Sequence, residues 1–108
     1  MTHSVTRRGD FVVFSPGVDI DSSNFPELEE KVSDLIKEGN LNIILDFSQI
    51  THVDSSGIGV LIRIHRQLKE KGGRLVLAAC NEHLRKIFYL VKFNEHLTIT
   101  ATLDEAFI

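Results

Sequence analysis

The stretch that decides the fold is LNIILDFSQITHVDSSGIGVLIRIHRQLKEKGGRLVLAAC, residues 41–80. It begins with LNIILDF, residues 41–47, an apolar run typical of a strand that is buried on both faces. A helix is expected from about Ser56 to Glu70, with Lys71-Gly72-Gly73 ending it. RLVLAAC, residues 74–80, has the composition of a second buried strand. This order predicts a parallel β-α-β unit with a right-handed crossover.

The segments before this unit predict a hairpin and a helix. Residues 4–8 and 11–15 have the pattern of two short strands, and Gly9-Asp10 between them is a turn signal. Asn24 and Glu27 have the spacing of a capping box, which places a helix start at this point.

The segments after the unit predict a helix, a strand and a terminal helix. Residues 83–91 have a helical pattern with Asn81 as a candidate cap, and residues 97–100 form a short strand. A short helix is expected at residues 103–107, with Thr102 as its cap.

The complete order is β-β-α-β-α-β-α-β-α. Alternating strands and helices predict an α/β fold with packed helices and a mostly parallel mixed sheet, which carries the N-terminal hairpin at one edge. A chain of 108 residues corresponds to one domain, here residues 1–108.

Composition excludes several classes of function. The net charge of −3 and the lack of a basic stripe argue against direct binding of nucleic acid. The apolar runs are shorter than the ~20 residues of a membrane span, and MTHSVTRRGD lacks a signal-peptide core, so we expect a cytoplasmic protein without membrane insertion.

Cys80 ends an apolar run and is expected to be a buried hydrophobe. The histidines have no metal-ligand spacing, so neither a metal nor a cofactor is predicted.

The tripeptide Asp-Ser-Ser occurs twice, at residues 21–23 and 54–56, each time before a predicted helix. A polar residue there caps unpaired amides, which is a sufficient structural role. After the second copy, however, Gly57 and Gly59 each cost up to ~1 kcal/mol relative to alanine in a helix. They also leave the approach to Ser55 open to another protein. These residues alone support a cap and a functional site equally.

The helix over residues 56–70 has a wide apolar arc. At about 100° per residue, one face carries Ile58, Leu61, Ile62, His65 and Leu68. Val60 and Ile64 widen this arc. Either part of it is exposed beside the serines as a patch that binds a partner, or the helix lies between the sheet and a neighbouring helix.

An enzyme is not predicted, although His52, Asp54 and Ser55 together have the composition of a catalytic triad. In an extended segment His52 and Asp54 share a face and Ser55 points away. Working triads take their members from separate elements. No GxSxG elbow is present, and Gly57-Ile58-Gly59 lacks the rest of a nucleotide-binding fingerprint.

The run LDFSQITHVDSSGIGVLIRIHRQLKEKGGRLVLAACNEHLRKIF, residues 45–88, resembles the STAS domain family, in particular the bacterial anti-sigma factor antagonists. The shared features are Asp-Phe-Ser after a strand, an apolar residue before Asp-Ser-Ser-Gly, Gly-Val, Gly-Gly and a closing Leu-Asp-Glu-Ala. The likeness extends over about residues 12–107. One departure is YLVKFNEHL, residues 89–97, where the family often has a glycine after the third helix.

The resemblance implies a site and a mechanism. The first serine of the family's motif is phosphorylated, which matches Ser55, and Asp54, Ser56 and Gly57 match the surface around it. The adjoining helix residues Ile58, Gly59, Val60 and Ile64 are further candidates for partner contact.

The partner implied by the resemblance is an anti-sigma factor with serine kinase activity. The unphosphorylated protein would bind it and free a sigma factor, and a PP2C-type phosphatase would reset the phosphorylated form. The alternative is a STAS module that is never phosphorylated and docks on a membrane transport or signalling complex.

Overall fold

The predicted order of strands and helices is confirmed in the computed structural model, which describes residues 2–107. The bounds are β1 His3–Arg8, β2 Phe11–Pro16, α1 Phe25–Lys37, β3 Asn42–Asp46, α2 Ser55–Glu70, β4 Arg74–Ala78, α3 Glu82–Leu90 and β5 Thr98–Ile99. Short 3-10 helices span Phe93–Glu95 and Asp104–Phe107. The last element is therefore a 3-10 helix, where the sequence predicted a short α-helix.

The sheet has the strand order β1-β2-β3-β4-β5. β1 and β2 form the predicted antiparallel hairpin at one edge, and the remaining neighbours are parallel. From β2 onward, each crossover connection leads to the adjacent strand, always in the same direction along the sheet. Since such crossovers are right-handed, α1, α2 and α3 all pack on one face of the sheet.

Strand β3 is buried on both faces, as its apolar run predicted. Ile43 and Leu45 join the main core beneath the helices. Ile44 points to the opposite face, where it packs in a smaller cluster with Ala106 of the C-terminal 3-10 helix. The C-terminal segment thus covers the face that the three α-helices leave open.

The start of α1 differs from the predicted capping box. Asn24 occupies the N-cap position, but its side chain makes no capping hydrogen bond. Its Oδ1 accepts from the Asp21 amide at 3.0 Å, and its Nδ2 donates to the Asp19 carbonyl at 2.6 Å. Asn24 therefore fastens the loop before α1 and does not cap the helix.

Two other predicted caps are confirmed. Asn81 Oδ1 accepts from the Leu84 amide at 2.8 Å at the start of α3. Thr102 Oγ1 accepts from the Glu105 amide at 3.3 Å, which holds the first turn of the C-terminal 3-10 helix.

Lys92 follows α3 in a left-handed conformation, with φ 63° and ψ 27°. Glycine is favoured at such a position because a Cβ is strained there. A lysine thus occupies a turn position that favours glycine.

Candidate functional site

The two Asp-Ser-Ser copies begin from adjacent segments at the carboxyl edge of the parallel strands. Ile20 and Val53 form an isolated parallel bridge, and the Asp54 amide donates to the Ile20 carbonyl at 3.4 Å. On each segment, the Asp-Ser-Ser copy begins with the residue directly after the bridge, Asp21 after Ile20 and Asp54 after Val53. Loops at this edge are the usual place for functional residues in α/β folds.

Asp19 fixes the segment that leads to the second copy. Its Oδ1 accepts from the amides of Thr51 at 2.7 Å and His52 at 3.2 Å, and its Oδ2 accepts from Thr51 Oγ1 at 2.9 Å. Burial opposes ionisation of this carboxyl, but the hydrogen bonds from Thr51 and His52 outweigh it, so the pKa of Asp19 lies below its ordinary value. The sequence interpretation missed Asp19 because its partners lie more than thirty positions away; its one local signal is a carboxylate just after β2.

Asp54 caps α2 without help from the serines. It occupies the N-cap position with extended backbone angles, and its Oδ1 accepts from the Gly57 amide at 3.1 Å. Ser55 is then the first helical residue and is exposed. Within residues 2–107 its hydroxyl makes no hydrogen bond. The fold therefore leaves this hydroxyl available.

In the first Asp-Ser-Ser copy, Asp21 and Ser23 are hydrogen-bonded to each other. Asp21 Oδ1 accepts from both the hydroxyl and the amide of Ser23. These hydrogen bonds from Ser23 hold the pKa of the Asp21 carboxyl below its ordinary value. The structure confirms a local turn role for Asp21 and Ser23.

Gly57 serves internal packing, which corrects the expectation that it opens a path to Ser55. It is buried. A Cβ at this position would collide with Val53 Cγ1 and would lie 3.1 Å from Ile20 Cγ2. Gly59 faces outward instead, since a Cβ there would meet only Arg63 Nη1 within 4 Å, at 3.3 Å. Gly57 thus lets the start of α2 pack against the Ile20–Val53 bridge.

Val60 and Ile64 were predicted to contact a partner, and the structure contradicts this because both are fully buried in the core. The wide apolar arc of α2 arises because this helix packs against the sheet and also against its neighbour α1. Arg63 donates to Glu29 of α1 at 2.7 and 3.0 Å.

The predicted site residues that reach the surface are Asp54 and Ser55, which are exposed, and Ser56, Ile58 and Gly59, which are half-buried. They occupy the first turn of α2 and its cap. Gly57, Val60 and Ile64 support this turn from beneath.

The side chains of His52, Asp54 and Ser55 do not form a triad. His52 Nδ1 lies 2.9 Å from Thr51 Oγ1, while Asp54 is engaged by the Gly57 amide. The His52 ring lies beside His83, at the start of α3, with 5.5 Å between ring centroids.

Cys80 is buried, and burial raises the pKa of its thiol to about 12, which confirms its role as a small hydrophobe. Within residues 2–107 no group of three His, Cys, Asp or Glu side chains could hold a metal ion. The helices of that part of the chain are too short or too polar to cross a membrane.

Sequence comparison gives a family and named relatives. Residues 3–106 match the model of the STAS domain. The anti-sigma-B factor antagonist of Bacillus subtilis is 31% identical over 84 residues, which is 77% of this chain and 75% of that protein. BtrV of Bordetella bronchiseptica, which also bears the name of an anti-sigma factor antagonist, is 27% identical over 68% of this chain and 64% of its own length.

Solved structures share the fold over nearly the whole chain. A Thermotoga maritima protein, likewise named as an anti-sigma factor antagonist, has a TM-score of 0.92 at 24% identity, covering 97% of this chain and 91% of that one. The Bacillus cell fate determinant SpoIIAA in its phosphorylated form has a TM-score of 0.76 at 25% identity, covering 98% of this chain and 96% of that one. The chain therefore belongs to the STAS domain family, and its curated relatives include proteins named as anti-sigma factor antagonists.

Proposed function

We propose that the protein is a non-catalytic adaptor that binds an anti-sigma factor through the first turn of α2 while Ser55 is unphosphorylated. Binding releases the sigma factor that the anti-sigma factor had held. The observation that carries the proposal is the exposed Ser55 hydroxyl, which has no role in capping α2 because Asp54 already performs it.

Phosphorylation of Ser55 would switch this binding off by electrostatics. A phosphate adds about −1.5 to −2 charges at pH 7, next to the Asp54 carboxylate. Leaving such a charge unpaired in an interface costs ~3–5 kcal/mol, which corresponds to about two to four decades in affinity. The switch needs no change of fold.

The proposed contact surface is small and polar, with one apolar residue. Asp54, Ser55 and Ser56 form its polar part, and Ile58 and Gly59 continue it along α2. Asp19 holds the preceding segment in place through Thr51 and His52. A partner thus meets a surface that is ordered before binding, which reduces the entropy lost on association.

The names of the relatives support the choice of direct partner. Relatives named anti-sigma factor antagonists support an anti-sigma factor as the direct partner, and a structure of SpoIIAA in a phosphorylated form supports control by phosphate. We assign the kinase activity to the anti-sigma factor itself and the reset step to a PP2C-type phosphatase. Since phosphoserine is stable in water, the cycle requires a phosphatase.

The experiment is phosphorylation of the intact protein by the candidate switch kinases of its organism with ATP. Mass spectrometry should find one added phosphate on wild type and none on Ser55→Ala. Ser23→Ala is the matched control, since Ser23 belongs to the other Asp-Ser-Ser copy, and it should gain one phosphate. A phosphate that persists on Ser55→Ala would move the site to Ser56 or end the proposal. No phosphate with any candidate kinase would favour the alternative, a docking subunit of a membrane transport or signalling complex.

A further inference from the structure

A groove lies beside the second half of α2, away from Ser55. Its lining residues lie on α2 and on the segment that follows α3; they are Ile62, His65, Arg66, Lys69, Val91, Phe93, His96 and Leu97. Its volume is about 330 Å³, which is within the range of small-molecule sites. At 1.5 Å per residue, its nearest residue, Ile62, lies about 10 Å along the helix from Ser55. The groove and the proposed switch surface share no residue.

The floor of the groove is apolar. Phe93 is 6% exposed and belongs to the main core, and Ile62 and Leu97 are half-buried and pack against that core. Val91 stands at the rim and is 44% exposed. An apolar ligand group seated here would remove this surface from water at a gain that grows with its area.

The polar groups of the groove are all basic. They are His65, Arg66, Lys69 and His96, and no acidic residue lines the groove. Within residues 2–107 none of these four side chains makes an ion pair or a hydrogen bond. The chain as a whole has a net charge of −3, so this positive surface is local.

His65 does not add to the fixed charge of the groove. Burial lowers the pKa of His65, and the positive charges of Lys69, His96 and Arg66 lower it further. The His65 ring is therefore neutral near pH 7 and is a hydrogen-bonding group. Arg66 and Lys69, both exposed, supply the permanent cations at the mouth of the groove.

We propose that this groove binds an anionic amphiphile, namely a free alkyl carboxylate of medium chain length. The alkyl chain lies on Phe93, Ile62 and Leu97, and the carboxylate lies between Arg66 and Lys69. An apolar floor with a few convergent polar groups is the usual composition of a small-ligand site. Charge complementarity selects an anion over a neutral or cationic amphiphile. The site is independent of the proposed switch at Ser55.

The test is titration of the full chain with decanoate, decanol and decyltrimethylammonium, each at concentrations where the probe is monomeric. Calorimetry should show saturable binding of decanoate and much weaker binding of the other two. Amide signals of residues 62–69 and 91–97 should shift in NMR spectra. Equal binding of the cationic or neutral probe would overturn the proposal, as would shifts confined to the exposed Leu90 at the end of α3.

Charge variants complete the test. Arg66→Glu/Lys69→Glu should weaken decanoate binding about tenfold or more, with an unchanged melting temperature because both side chains are exposed. Arg7→Glu, on the opposite edge strand β1, should bind decanoate like wild type. Equal loss in both variants would show unspecific attraction and would refute the site. If an acidic peptide binds to the groove and decanoate does not, the groove is a protein-docking surface and the proposed carboxylate site is wrong.

Discussion

The Gly57 amide donates a hydrogen bond to the Asp54 carboxylate over 3.1 Å, and this bond completes the cap of α2. Ser55 lies between the two residues and takes no part in it. The residue that stabilises the helix start and the residue proposed to carry the phosphate are therefore different. This separation can be measured by stability as well as by binding.

Asp54→Ala should lower the free energy of unfolding by about 0.5–2 kcal/mol, the usual cost of losing an N-cap side chain. Ser55→Ala should change it by less than about 0.5 kcal/mol, since an exposed side chain without partners is removed. Urea unfolding of both variants beside wild type measures the two values. A Ser55→Ala loss as large as that of Asp54→Ala would show that the serine is part of the cap.

The two glycines of the first turn should respond in opposite ways to alanine. Gly57→Ala should destabilise the protein by about 1–3 kcal/mol, because the new Cβ collides with Val53 and approaches Ile20. Gly59→Ala should be neutral or stabilising by up to about 1 kcal/mol, because it improves helix propensity and meets only the mobile end of Arg63. Similar losses in both variants would contradict the assigned orientation of α2.

Asp19→Asn should lower stability by about 1–2 kcal/mol near neutral pH, because hydrogen bonds to the Thr51 and His52 segment are weakened. The pKa of Asp19 is lower in the folded state than its ordinary value of 3.8. Its contribution is therefore complete above that value and is lost as the pH falls through the lower folded pKa. The difference between wild type and variant should narrow below about pH 4.

Urea unfolding at several pH values checks this, with Asp34→Asn, an exposed carboxyl on α1, as the control. A difference that stays constant from pH 7 to pH 3 would contradict the role of the Asp19 charge.

Lys92→Gly should stabilise the protein by about 0.5–1 kcal/mol, since glycine adopts the left-handed conformation of this residue without strain. The reciprocal change is Gly72→Ala, at a left-handed position with open space around it, and it should cost about 1 kcal/mol. Melting temperatures of the two variants should thus move in opposite directions. A fall for Lys92→Gly would show that the lysine side chain stabilises the turn.

Local patterns in the sequence predicted most of the fold. The apolar run at 41–47, the glycines at 72–73 and the caps Asn81 and Thr102 act through neighbouring residues, so their meaning is visible in one segment. The role of Gly57 depends on its steric contact with Val53 and with Ile20, a residue from another loop, which the local sequence does not reveal. Asp19 was missed for the same cause, since its hydrogen bonds cross between loops.

The width of the apolar arc on α2 also needed the structure. A helix covered by the sheet on one side and by α1 on another has the same pattern as a helix with an exposed patch. Burial decides between them, since Val60 and Ile64 are fully buried, and the ion pair of Arg63 with Glu29 shows that α1 lies beside α2. Burial therefore removes Gly57, Val60 and Ile64 from the site predicted from sequence, and the proposal around Ser55 rests on its exposed and half-buried residues.

A phosphate on Ser55 should leave the fold intact. Ser55 is exposed in the first turn of α2, and a helix N-terminus favours a negative group. The melting temperature and the circular dichroism spectrum of the phosphorylated protein should match those of the unmodified protein within a few degrees. Unfolding caused by the phosphate would indicate a switch through disorder, contrary to the electrostatic account.

The most direct test of the central claim is the dissociation constant for the cognate anti-sigma factor, measured with unmodified protein and with protein fully phosphorylated at Ser55. The account predicts that the phosphate weakens binding by about two to four decades. It also predicts that Ser55→Ala binds about as tightly as unmodified protein before and after treatment with kinase. Equal dissociation constants for the two forms of wild type would contradict it.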